Sequence, residues 1–144
     1  MIEPRELLTA RQYLARAEAA YRSKDGLFQL EEGLALLDEV IAGQDPRHRV
    51  IAQNLASTYA AKIYGAVAKL LEKDRAVPEP DLEHLFRVIL AFDNGAFDLP
   101  AEARATKIAI ASQLLDRYYE GHPAETKLGA LEELAQFAGV RRKR

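Results

Sequence analysis

The stretch VIAQNLASTYAAKIYGAVAKLL, residues 50–71, decides the fold of this 144-residue chain. Its only charged residues are Lys62 and Lys69, and its large apolar residues recur every three or four positions, which is typical of an α-helix with one face against a core. The residues with this spacing are Leu55, Tyr59, Ile63, Val67 and Leu70. Gln53, Asn54 and the two lysines make membrane insertion costly, and we expect no membrane partner.

The opposite side of this helix consists of small or short polar side chains, at steps of four, three, four and three. They are Asn54, Thr58, Ala61, Gly65 and Ala68. Such a ridge allows another helix backbone to approach closely. The sequence favours an enclosed helix, in which a matching stripe of small residues on helix 5 covers the ridge. That stripe is Ala105, Ala109 and Ser112. Two alternatives stay open. One is a groove for a partner helix or a second copy of the chain. The other is a small-molecule pocket lined by Asn54, Thr58 and Tyr64.

The rest of the chain repeats the helical spacing and predicts an all-α fold of about six helices. Their expected ranges are 4–23, 26–43, 46–73, 80–93, 100–120 and 124–138. Asp45-Pro46 is typical of a helix start, because proline fits the first helical position after a capping aspartate. The connections are short, so neighbouring helices should pack antiparallel, as a bundle or a short helical array. We expect one domain over 1–140 and a basic tail over 141–144.

Composition narrows the function classes. The chain has no cysteine, which excludes disulfides, thiol catalysis and cysteine-bound metals. Its net charge of −2 gives no global field that would favour nucleic acid, which we do not expect as a partner. The charged N-terminus MIEPRELL is not followed by the apolar segment of a signal peptide, and we expect a cytoplasmic protein. Helix 2 is acidic, with no Lys or Arg between Lys24 and Arg47, and a basic partner would fit that side.

The central segment also resembles a tetratricopeptide repeat, a 34-residue helix–turn–helix unit. Leu55, Ala56 and Tyr59 resemble the signature of its first helix, and Ala68 falls where its second helix has a small residue. A proline also recurs after 34 residues, at positions 46 and 80. The resemblance implies a turn near residues 62–65, which would divide the long helix. It also implies a helical scaffold that binds peptide segments of other proteins and performs no chemistry of its own.

Two patterns of residues raise the question of catalysis or metal binding. Asp45 precedes His48 by three residues, and Asp81 precedes His84 by the same spacing. Both aspartates fall at predicted helix starts, where capping explains them, and we expect no metal and no cofactor.

Arg117 and His122 are separated by four residues, a spacing that resembles the HEPN ribonucleases. That resemblance implies a role for Arg117 in holding phosphate and for His122 in moving a proton.

The sequence therefore predicts a non-catalytic interaction module of the adaptor, chaperone-like or regulatory type. We expect it to bind a protein or peptide, or a second copy of itself, through a helical groove. The expected groove residues are Asn54, Thr58, Ala61, Lys62 and Gly65. A self-assembling structural protein and the ribonuclease are the alternatives. The sequence predicts neither the partner nor whether residues 50–71 form one helix or two.

Overall fold

A computed structural model describes residues 4–73, 77, 79–93 and 97–121, and these residues are helical apart from short connections. The elements are α1 (Arg5–Ala19), α2 (Lys24–Ala42), α3 (Pro46–Lys73), α4 (Glu79–Leu90), a 3-10 helix (Ala91–Asp93) and α5 (Ala101–Gly121). The all-α fold class is thus confirmed. The predicted sixth helix at 124–138 and the basic tail at 141–144 lie outside the described residues, so the single domain over 1–140 stays a prediction. In the described part of the chain, no helix is both long and apolar enough to cross a membrane.

The junctions between helices follow from capping. The first helix ends at Ala19 rather than at the predicted residue 23, because Ser23 already belongs to the start of α2. The Ser23 hydroxyl accepts a hydrogen bond from the Gly26 N–H at 2.9 Å and donates one to the Ala20 carbonyl at 2.9 Å. At the next junction the prediction is confirmed. Asp45 accepts from the Arg47 N–H at 2.9 Å, and α3 begins at Pro46.

The helix α3 runs without interruption through residues 62–65, so the turn implied by the tetratricopeptide resemblance is wrong. The reason is that Ile63 and Tyr64 are both buried, and an unbroken helix places both side chains in the core. Glycine at position 65 costs about 1 kcal/mol of helix propensity, which the packing of these neighbours outweighs.

The helices form two layers. One layer contains α1, α3 and α5, in which α1 contacts α3 and α3 contacts α5. The second layer contains α2 and α4, which contact each other. Contacts near both ends show that α3 and α5 run in the same direction. The Asp98 N–H donates to the Gln53 side chain, and Arg117 donates to the Leu71 carbonyl. The helices of the described residues therefore form a compact array, with α3 in the middle of the odd-numbered layer.

The core lies between the layers and contains the predicted face of α3. Leu55, Ile63 and Val67 are buried, whereas Tyr59 and Leu70 are half-buried. Tyr64 is the largest fully buried side chain of this helix. Its ring meets Phe92 edge-on with centroids 5.6 Å apart, and its hydroxyl donates to the Ile89 carbonyl at 3.2 Å. These contacts join α3 to the end of α4.

The expectation that helix 5 covers the small-residue ridge is wrong. Ala61 is exposed, and so are Ala105 and Ala109 of the supposedly matching stripe. α5 instead packs into the core through larger apolar side chains on another side of the helix. They are Ile110, Leu114, Leu115 and Tyr118. The side with the larger side chains is the buried one, because these side chains remove more apolar area from water than alanines do.

Candidate functional site

The five residues predicted to line a groove lie together on one surface of α3. Asn54, Thr58, Ala61 and Lys62 are exposed, and Gly65 is half-buried. A Cβ atom placed on Gly65 would find no heavy atom outside its own helix backbone and chain neighbours within 4 Å. The ridge is therefore exposed from Asn54 to Ala61 and half-buried at Gly65 and Ala68, and Gly65 is not required there by any close contact.

Lys62 marks the edge of this surface toward α1. Its Nζ atom lies 3.9 Å from Glu18 Oε1 of α1 and 5.1 Å from the centre of the Tyr59 ring. Both charged side chains of the pair are substantially exposed, so the ion pair adds little stability. The pairing shows instead that α1 and α3 lie side by side at this point. The ridge of α3 lies on the other side of Lys62 from α1.

Two large apolar side chains of the same two helices are also exposed. Leu8 of α1 is 50% exposed, and Val50 in the first turns of α3 is 59% exposed. We name the α1–α3 face as the surface formed by these two residues and their small or short polar neighbours. It comprises Leu8, Ala15, Ala19, Val50, Asn54, Thr58, Ala61, Gly65 and Ala68.

The sequence pattern did not predict Leu8 and Val50 as part of a binding surface. For Val50, the available signal was its position on the ridge side of the helical wheel, four residues before Asn54.

The outer side of α2 is different in character. Phe28 is 56% exposed there, although the leucines of the same helix are buried or half-buried. Four exposed carboxylates share this side of the helix with it. We name the α2 face as Phe28 with Asp25, Glu31, Glu32 and Glu39. The sequence pattern did not predict an exposed Phe28 either. The signal was available, because Phe28 does not share the spacing of three or four positions that connects the large apolar residues of helix 2. It therefore falls on the polar side of the helix.

The histidines have structural surroundings. His84 Nε2 lies 2.8 Å from the Tyr21 carbonyl, which ties the start of α4 to the end of α1. His48 Nδ1 lies 3.5 Å from Asp45 Oδ2, and its Nε2 atom is buried beside a cleft of about 220 Å³. The hydrogen bond from the Arg47 N–H lowers the pKa of the Asp45 carboxyl. This bond is the one by which Asp45 caps α3. Within the described residues, no group of three or more His, Asp or Glu side chains is arranged to hold a metal.

Arg117 and Lys107 also have structural partners. The half-buried Arg117 donates to the Leu71 carbonyl near the end of α3, where a cationic side chain complements the helix dipole. Its proposed catalytic companion, His122, lies outside the described residues. Lys107 is only 8% exposed and pairs with Asp93 at 3.0 and 3.1 Å, which joins α5 to the 3-10 helix. The sequence did not predict this pair, because its members lie on different elements.

Comparison of the chain with protein-family models, with curated proteins and with solved structures finds no match.

Proposed function

We propose that the protein is a non-catalytic interaction module that binds another polypeptide on the α1–α3 face. The observation that carries the proposal is the openness of the ridge at its centre, where Ala61 is exposed and Gly65 has free space above it. A soluble helix normally presents long charged side chains to water, and residues 50–61 present none. The exposed Leu8 and Val50 add apolar area that a docked helix would remove from water.

The fold supports this proposal because it supplies a rigid platform. The α3 helix is held from its other side by buried residues along most of its length, such as Ala52, Ile63 and Leu71. A platform fixed in this way loses little conformational entropy when a partner binds. Small side chains allow a partner backbone to come close, so that a helix in a groove is the binding mode that fits.

Affinity capture tests the proposal. Tagged wild-type chain, Ala61→Leu and the control Ala42→Leu are used to capture partners from a lysate of the native host, followed by mass spectrometry. Ala42 is also an exposed alanine, at the end of α2 and away from the α1–α3 face. We expect a stoichiometric partner with wild type and Ala42→Leu and its loss with Ala61→Leu. Leucine at either exposed helix position should change the free energy of unfolding by less than about 0.5 kcal/mol.

A partner that Ala61→Leu retains in full would contradict the proposal. Circular dichroism of each variant shows that a lost partner does not reflect a lost fold.

A further inference from the structure

We propose that the α2 face of one copy docks on the α1–α3 face of another, so that the chain assembles head to tail. The inference rests on the proposed function, since it assigns to the same binding surface a partner of defined chemistry. That partner is an acidic helix with an exposed phenylalanine, and α2 is such a helix.

The α2 face supplies an apolar group with carboxylates on both sides and the exposed Lys24 one turn before it. Phe28 exposes 56% of its surface, and the carboxylates of Glu31 and Glu32 follow it by about one turn on the same exposed side. No Lys or Arg occurs between residues 24 and 47 to neutralise them. An exposed aromatic ring of this kind is the typical anchor of a protein interface, and the surrounding charge selects a basic surface.

The α1–α3 face has the opposite charge along its α1 side. Lys62 and Lys69 are exposed between the ridge and α1, and so is Lys73 at the end of α3. The carboxylates nearby are Glu18, which pairs with Lys62, and the exposed Glu72, seven residues after Gly65 on the ridge itself. The other side of the ridge, toward α5, carries the exposed Asp98 and Glu102. Charge complementarity therefore places a docked α2 over the boundary between α1 and α3 rather than over α5.

The shapes of the two faces also correspond. Phe28 projects from α2, whereas Ala61 and Gly65 form the lowest part of the α3 ridge, with open space over Gly65. A phenyl ring laid there would gain contact with small side chains and with backbone. Val50 of α3 and Leu8 of α1 add exposed apolar area on the same two helices.

One molecule cannot join these two faces, because α2 lies in the second layer and both faces point away from the core between the layers. Their contact therefore needs a second copy. Since the two surfaces differ, the contact is heterologous and each copy keeps one free face of each kind. Assembly then continues into a ring or an open chain, unlike a twofold dimer, in which the same patch meets itself.

Two charge variants test this by disabling one face each. Glu31→Lys/Glu32→Lys alters the α2 face, and Lys62→Glu/Lys69→Glu alters the α1–α3 face, all at exposed helix positions. Analytical ultracentrifugation measures mass against the 16.1 kDa of one chain, and circular dichroism verifies folding. We expect wild type to associate, with at least a tenfold weaker association in high salt, and each variant to be monomeric. An equimolar mixture of the two variants should then regain association, because the two unaltered faces are complementary and so are the two charge-reversed faces.

Several results would overturn the inference. They are a monomeric wild type at millimolar concentration, a variant that keeps the wild-type mass, and a mixture that stays monomeric. Phe28→Ala adds a separate requirement, since it should weaken the wild-type association at least tenfold without any change of charge. A separate result tests the proposed function. The Glu31→Lys/Glu32→Lys variant keeps the α1–α3 face, so it should capture the same lysate partner as wild type whether or not copies associate.

Discussion

Gly26 and Gly65 both lie inside helices, and they show two different uses of a small residue. At Gly26, a Cβ atom would come within 1.8 Å of the Ala20 carbonyl oxygen, because the start of α2 is pressed against the end of α1. At Gly65, the same atom would meet nothing within 4 Å. Packing within the chain explains the first glycine completely and the second not at all. A small residue that its own fold does not require leaves room for an occupant from outside, and this contrast is the one that the proposed binding face depends on.

The largest expected effect comes from Gly26→Ala. The added methyl group collides with backbone rather than with a movable side chain, so α1 and α2 must shift apart at the Ser23 cap. We expect a loss of about 3 kcal/mol in the free energy of unfolding, at the upper end of the usual cost of overpacking. Urea denaturation followed by circular dichroism measures it. A loss below about 1 kcal/mol would mean that the turn adjusts freely and that the contrast with Gly65 is weak.

A second test compares the two sides of α3 at adjacent residues, since Tyr64 is buried where Gly65 faces open space. Tyr64→Phe removes the hydrogen bond to the Ile89 carbonyl and should cost about 1 kcal/mol. The half-buried Tyr59 gives a matched control, and Tyr59→Phe should change the free energy of unfolding by less than about 0.5 kcal/mol. Equal losses in the two variants would contradict the assignment of Tyr64 as the anchor between α3 and α4.

The pH dependence of stability gives an independent measurement on Tyr64. Burial, assisted by the Asp93 carboxylate, raises the pKa of its phenol above the ordinary value of 10.0. The folded state therefore holds this proton more tightly than the unfolded state. The resulting stability is complete below pH 10 and is lost as the pH rises from there toward the raised pKa. We expect wild type to lose more stability than Tyr64→Phe between pH 9 and 11, and parallel curves for the two proteins would contradict this.

Much of the fold could be predicted from the sequence, because its signals are local. Asp45 and Pro46 identify the start of α3, and the spacing of its large apolar residues identifies the buried side. The state of the ridge could not be predicted. Alanine and glycine fit a close helix contact and an open surface equally well, so only the positions of the neighbouring helices decide between them. The same holds for Gly26, whose requirement arises from the Ala20 carbonyl and not from its own helical spacing.

The missed parts of the candidate site have a related cause. Leu8 and Phe28 are large apolar residues, and a pattern-based interpretation assigns such residues to the core by default. Each is exposed because its helix has a single buried side that other leucines already fill, such as Leu7 in α1 and Leu30 in α2. The position of a residue on the helical wheel indicates whether it is buried, whereas its type alone does not. A large apolar residue at an exposed position indicates a binding surface, and the charges around it indicate the chemistry of the partner.

The smallest expected effect on stability, and the sharpest test of the comparison, is Gly65→Ala. No neighbour obstructs the methyl group, and alanine is favoured over glycine in a helix interior, so the variant should gain about 0.5–1 kcal/mol in the free energy of unfolding. If the open space is the site of a docked helix, the same methyl group should weaken partner capture or self-association while the fold becomes more stable. Urea denaturation and ultracentrifugation on one preparation separate the two quantities. A variant that is both more stable and fully competent to bind would show that Gly65 serves neither packing nor recognition, and the site would then have to lie nearer Val50 and Leu8.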